Sequence, residues 1–308
     1  MSAVAHSAFG AGKVILLGEH AVVYGHPALA APLSWGVHSH ARPAPRCSLV
    51  LPAGVRGANR RRALVAFDRA AGACGRPRVR VELEGNLPVS MGLGSSAALS
   101  VACARVLLDS AGRRATVGDV CRVALAMERT FHGTPSGVDH ACSATGKLIL
   151  YRKSPGASLG AVRVVRSPRP LKILVALIGD RPATRDTVAG LRARIQRWPR
   201  RYRRILAEMG HLAREGAGAI EAGDIESLGD AMNVNQGLLR ALGLSSAGIE
   251  AAVDRLRALG ARGAKLTGAG GDGGAVIGLF LEPEPAVARL RRMGVRCFSS
   301  QIGGPVTL

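Results

Sequence analysis

The segment Pro88-Val-Ser-Met-Gly92-Leu-Gly94-Ser-Ser-Ala-Ala98 is a glycine-rich turn that runs without a break into an apolar stretch reaching Leu108. From Ser95 to Leu108 nearly every residue is small or apolar, and Arg105 is the one charged residue. A helix of this composition has no polar face to offer water, so other layers must enclose it. The turn before it is equally constraining. Glycines let backbone N–H groups converge on one point, and a helix start adds unsatisfied donors and the positive end of its dipole. Such a place suits a phosphate. The blander alternative is that Ser95 and Ser96 only cap the helix.

The chain has 308 residues, enough for two domains or one large one, and can bury on the order of 75% of its unfolded surface. With 47% apolar residues, disorder is excluded for most of its length. No run of about 18 apolar residues exists, so no membrane span is expected. The first residues lack a basic stretch followed by an apolar core, and none of the six cysteines forms a Cys-x-x-Cys pair. Together these predict a cytoplasmic protein with free thiols and no zinc.

Charge is the unusual property: 42 Lys+Arg against 21 Asp+Glu gives +21, and only five of the basic residues are lysines. Such a balance favours polyanionic partners. Aromatics are only 3%, however, which leaves little to stack on bases. The arginines are also dispersed, with local runs only at Arg60-Arg61-Arg62 and from Arg197 to Arg204. The expectation is a solvated arginine surface without nucleic-acid function.

Patterning predicts an α+β chain. Strands are expected at Lys13–Leu17, around Val79, Val81 and Leu83, and at Gly146–Tyr151 and Leu171–Ile178. Three further stretches, Ala275–Leu281, Gly294–Phe298 and Ile302–Leu308, are expected as strands closing the chain. Besides the buried helix, one should start at Thr116 with Asp119 in capping-box style and run to about Phe131. A basic helical stretch over 185–215 should break near Pro199, followed by helices at Asp224–Leu242 and Ser246–Leu259, the last stopped by Gly260. Ser167-Pro-Arg-Pro170 reads as a linker, dividing the chain into 1–170 and 171–308.

Two more segments carry chemistry. Glu128 precedes His132-Gly-Thr-Pro-Ser-Gly-Val-Asp139-His140, a tight turn with a carboxylate just beyond it. Asp139 is a candidate general base or magnesium ligand, or simply a turn carboxylate. His132 and His140 lack the spacing of a helical metal pair. Near the N-terminus, Lys13 enters an apolar strand and needs an anion nearby. The loop Gly18-Glu19-His20 follows that strand. Gly12-Lys13 fails as a P-loop because Ser7 and Val14 stand where glycine and Ser/Thr are required. Gly268-Ala-Gly270-Gly-Asp-Gly273 matches a dinucleotide fingerprint literally but lacks the surrounding βαβ unit.

Taken in order, these segments resemble the GHMP small-molecule kinases. Within them, Gly18-Glu-His-Ala-Val-Val-Tyr-Gly25 resembles the mevalonate kinases. The similarity extends through Gly92–Ala98, His132–Asp139, Thr184-Arg185 with Val188-Ala-Gly190, Met232–Gly237 and Lys265–Gly271 to Ser300–Gly303. The resemblance implies a two-domain GHMP kinase fold, with an N-terminal ribosomal-protein-S5-like domain and a C-terminal ferredoxin-like domain. It implies ATP phosphates on Pro88, Gly92, Leu93, Gly94, Ser95, Ser96 and Ala97, and magnesium on Ser96 and Glu128. It further places Asp139 and Lys13 as the catalytic pair, and Glu19, His20, Thr184, Gly268 and Ala269 around mevalonate. A homodimer is left open.

Alternatives are another GHMP kinase, acting on phosphomevalonate or a sugar, and a catalytically silent GHMP-fold binding protein. The Glu19-His20 wording argues against the first, and intact Lys13, Ser96, Glu128 and Asp139 argue against the second. Two departures from the family pattern are Ala11 in place of proline and Asp272 within the C-terminal glycine loop.

Overall fold

A computed structural model describes residues 6–52, 54–132, 135–179 and 184–303, with the side chains of 184–186 outside the described set. Two sheets organise the chain. The first comprises β1 (His6–Leu17), β2 (Ala28–Pro43), β3 (Ser48–Val50), β4 (Val79–Gly85), β5 (Ile149–Arg152) and β6 (Ala161–Val164). Its order is β3-β4-β2-β5-β6, with β1 also on β2. The long β2 makes this possible. It pairs with β1 along most of its length, with β4 through Val37–Pro43, and with β5 through Ala28–Ala30. All pairings in this sheet are antiparallel except β3 with β4.

Four helices accompany this sheet, α1 (Gly57–Ala73), α2 (Ser95–Ser110), α3 (Val117–His132) and α4 (Val138–Thr145): α2 and α4 lie against it, and α1 and α3 pack on α2. The apolar helix expected from Ser95 is α2, and it is enclosed as its composition demands: Ala97, Val101, Cys103, Val106 and Leu108 are all fully buried. Its lone charge is satisfied, since Arg105 donates to the carbonyls of Phe9 and Ala144. Helix α3 opens with the expected box: Asp119 N donates to Thr116 Oγ1 at 3.2 Å, and that hydroxyl donates to Asp119 Oδ2 at 2.5 Å.

The second sheet is antiparallel, in the order β10-β7-β9-β8, from β7 (Leu171–Ile178), β8 (Gly263–Thr267), β9 (Gly274–Phe280) and β10 (Cys297–Ile302). Between β7 and β8 run α5 (Thr184–Arg197), α6 (Pro199–Ala222), α7 (Ile225–Ala241) and α8 (Ala247–Ala258), and α9 (Glu284–Arg292) precedes β10. The break at Pro199 is real, with proline in the first turn of α6. Asp224 and Ser246 cap α7 and α8 through side-chain oxygens.

The end of the chain differs from expectation. Instead of strands at Gly294–Phe298 and Ile302–Leu308 there is one, β10, whose register on β7 runs from Cys297–Ala176 to Ile302–Leu171. Gly294 has φ 77° and closes α9 as a turn, which is why the strand starts later. Residues 304–308 lie outside the described residues.

One hydrophobic core joins the two sheets. It combines Val14, Leu16, Leu29 and Leu33 from the first with Ile173, Val175, Ile277 and Phe298 from the second. Trp35 stacks on Phe298 with ring centroids 4.0 Å apart. A cleft opens beside this shared core, where Met91 belongs to both.

Candidate active site

Four elements of the N-terminal half bring chemistry to one cleft of about 1090 Å³: Lys13 from β1, Ser96 from the first turn of α2, Glu128 from α3 and Asp139 from the first turn of α4. A cleft of that size has room for two small molecules side by side.

Lys13 is the centre. Its backbone N–H donates to Leu93 O at 2.9 Å, which ties β1 to the glycine turn. Its ammonium donates to Gly92 O at 3.0 Å and lies 3.2 Å from Asp139 Oδ1. The anion that a lysine in an apolar strand requires is therefore Asp139. The lysine side chain is 3% exposed and the aspartate 32%, so the carboxylate is the more open of the two partners. Gly94, at φ 73°, permits this contact: a Cβ there would stand 2.8 Å from Lys13 Cγ.

The glycine-rich side of the cleft is the start of α2. Gly94 is the N-cap residue, and no side chain caps this helix, so Ser95 and Ser96 are not consumed as caps. Gly92, Gly94, Ser95 and Ser96 line the cleft, whereas Leu93 and Ala97 are buried behind the turn and Pro88 stands outside the lining. The Ser96 hydroxyl reaches both His132 Nε2, at 2.9 Å, and the Glu128 carboxylate. Glu128 is 1% exposed and takes a hydrogen bond from Ser100 Oγ at 3.2 Å. Burial, and then the charge of Asp139, push its pKa up to about 8. A buried carboxylate facing a hydroxyl at a glycine-rich helix start suits a hard divalent cation. Such cations use one or two carboxylates and complete their shell with phosphate oxygens and water. No cluster of three or more acidic, histidine or cysteine ligands exists among the described residues.

The opposite wall is built where β1 ends. His20 has φ 60° and ψ −42°, an unusual backbone for a non-glycine residue. Its Nε2 lies 3.0 Å from Ala269 O, so that nitrogen carries the proton. Burial pushes its pKa down to about 4. His20, Gly268 and Ala269 line the cleft. Glu19 does not: it is completely buried, paired with Lys265 and accepting from Asn235 Nδ2 at 3.2 Å. Thr184 begins α5, and its side chain is outside the described residues. Asp272 stays out of the lining although its neighbours Gly270 and Gly273 are in it.

Sequence reasoning overlooked several residues. Arg62, Arg129 and Arg192 also line the cleft, and nothing distinguishes them from the other arginines of a chain so rich in them. His132 was set aside for lacking metal-pair spacing, yet it touches Ser96. Lys265 carried the same signal as Lys13, a lysine inside an apolar strand.

A glycine turn at a helix start, a buried carboxylate beside it and a lysine–aspartate pair facing a second glycine loop define a small-molecule kinase. The family models agree: residues 59–147 match the GHMP kinases N terminal domain and residues 217–297 the GHMP kinases C terminal. A mevalonate kinase of Aeropyrum pernix is 37% identical over 89% of this chain and 88% of the relative. Another, of Methanothermobacter thermautotrophicus, is 33% identical over 88% and 89%. Among solved structures, the L. major mevalonate kinase in complex with R-mevalonate superposes with a TM-score of 0.85 at 26% identity, covering 99% of this chain and 98% of that one. The chain belongs to the mevalonate kinase family of GHMP kinases. It has the two-part α+β fold of that superfamily and is an ATP-dependent small-molecule kinase. No helix among the described residues is long and apolar enough to cross a membrane.

Proposed function

We propose that this chain transfers the γ-phosphoryl group of ATP to the 5-hydroxyl of mevalonate, giving mevalonate 5-phosphate and ADP. The observation that carries the mechanism is the Lys13–Asp139 pair, 3.2 Å apart between the phosphate turn and the His20–Ala269 wall. Asp139 takes the hydroxyl proton, the alcohol oxygen bonds to the γ-phosphorus, and the β–γ bridging oxygen leaves on ADP. Lys13 holds Asp139 in position and offers positive charge to the phosphoryl group as it moves.

Gly92, Gly94, Ser95 and Ser96 bind the ATP phosphates in this reading, with Pro88, Leu93 and Ala97 shaping the turn. Ser96 and Glu128 would hold magnesium, which supplies charge neutralisation on the β- and γ-phosphates. Gly268, Ala269 and His20 form the acceptor wall, with Thr184 assigned beside them by the family resemblance. His20 meets mevalonate as a neutral group that forms hydrogen bonds. The domain division at 170/171 follows the two sheets, the first ending at Val164 and the second starting at Leu171. A cytoplasmic setting fits six cysteines that are all free, five of them buried.

Identification of the product tests the reaction. The expected result is a phosphorus resonance coupled to the two protons on C5 of mevalonate. Phosphate on the tertiary C3 oxygen, or on no carbon of mevalonate, would contradict the proposal.

A further inference from the structure

Lys265 and Glu19 form an ion pair in which both side chains are 0% exposed, and the pair joins β8 of the second sheet to the turn that ends β1 of the first. The surrounding contacts make a three-toothed seam. Lys265 reaches Glu19. Two residues on, Thr267 Oγ1 donates to Ile15 O at 3.2 Å and accepts from Ile15 N at 2.8 Å. Two further on, Ala269 O accepts from His20. Asn235 of α7 holds the second Glu19 oxygen, and Gln236 accepts from Leu266 N at 2.9 Å to fix the strand that carries the lysine.

Stability alone does not account for this arrangement. Well-packed apolar side chains in place of a buried ion pair are often as stable or more so. What the pair borders is informative: Glu19 immediately precedes His20, whose backbone sits in a region non-glycine residues avoid. Strain of that kind persists only where the surroundings over-determine it, and it gathers at functional sites. His20 is pinned by its ring at Ala269 and through its predecessor at Lys265. Both anchors belong to β8 and the loop that leaves it.

We propose that Lys265 is a positioning residue for the acceptor substrate: by holding Glu19 it fixes the strained turn that presents His20 to the cleft. It touches no reacting atom. Its effect should fall chiefly on the acceptor: the turn at Gly92–Ser96 packs against Thr267 and Gly268 after the lysine, but it is held separately, by Lys13 at the Leu93 and Gly92 carbonyls. This rests on the proposed use of mevalonate as acceptor.

Lys265→Met alone strands the Glu19 charge in the core and is expected to destabilise the fold. The informative variant is the double substitution Glu19→Gln with Lys265→Met, which keeps volume and removes both charges together. It should melt within a few degrees of the wild type. Its KM for mevalonate should rise about 10-fold or more, while its KM for ATP stays within about twofold. A reading independent of substrate is the His20 Nε2 proton, which should give a protected NMR signal in the wild type and lose that protection in the double variant. A folded double variant with wild-type KM values and an unchanged His20 proton would overturn the proposal, as would equal rises in both KM values. Wild-type protein that releases no ADP with mevalonate would contradict the proposed function instead, and the His20 signal would still decide the role of Lys265.

Discussion

The Lys13 ammonium lies 3.2 Å from Asp139 Oδ1 and 3.0 Å from the Gly92 carbonyl, so one buried cation joins the proposed catalytic carboxylate to the glycine turn. Phosphoryl transfer asks a protein chiefly to position two reactants and to neutralise moving charge. A lysine held by β1, rigid and nearly excluded from water, meets both requirements without reorganising when substrates arrive.

Asp139→Asn keeps the shape of this pair but removes the proposed proton acceptor. Turnover should fall about 100-fold or more, with nucleotide affinity little changed. Single-turnover kinetics beside ATP-binding calorimetry checks this, and near-normal turnover would remove Asp139 from its role.

Gly94→Ala tests how closely the turn must approach Lys13. The added methyl needs space 2.8 Å from Lys13 Cγ, on a backbone at φ 73° that alanine resists. The expected outcome is a loss of roughly 10-fold or more in kcat, because misplacing a reacting group by about 1 Å can cost on the order of 100-fold. The variant should remain folded by circular dichroism. Unchanged kcat would show that the lysine tolerates displacement.

Glu128→Gln removes the one buried carboxylate beside Ser96. Apparent affinity for magnesium in the presence of nucleotide should drop about 10-fold or more, by analogy with the loss of metal-site support elsewhere. Manganese binding followed by electron paramagnetic resonance gives a reading that needs no turnover. Equal manganese affinity in variant and wild type would place the metal elsewhere.

His20 makes a prediction in pH. Its ordinary value of 6.5 in the unfolded chain falls to about 4 in the folded one, chiefly through burial. Between these values the unfolded chain binds more protons than the folded one, so stability must decline as pH drops from 6.5 toward 4. His20→Gln should make that part of a melting-temperature profile less steep, with His26, His132 and His140, also lowered by burial, supplying the remainder, and should leave the slope above pH 7 unchanged. A wild-type acid limb that persists undiminished in the variant would assign it to other groups.

How much of this was legible in the sequence depends on whether the signal was local. The buried helix α2, the box at Thr116–Asp119 and the strand Leu171–Ile178 all advertise themselves within a dozen residues, and the structure has them. The long β2 does not, because Pro32 and Gly36 interrupt its pattern and read as breaks; in the fold Pro32 simply sits opposite Lys13 in the ladder. Helix α1 is masked by the run Arg60-Arg61-Arg62, whose side chains are exposed. At the site, contiguous motifs gave Lys13, Ser96, Glu128 and Asp139. The partner of Glu19 was out of reach: Lys265 is 246 residues away, and only tertiary structure pairs the two charges.

The most direct test of the account is ADP release from ATP and magnesium with mevalonate, compared with phosphomevalonate, homoserine and galactose. The account predicts saturable release with mevalonate and little above background with the other three. Release with another alcohol and none with mevalonate would keep the kinase but contradict the acceptor assignment. Silence with all four, from protein shown to be folded, would contradict the catalytic role given to Lys13 and Asp139.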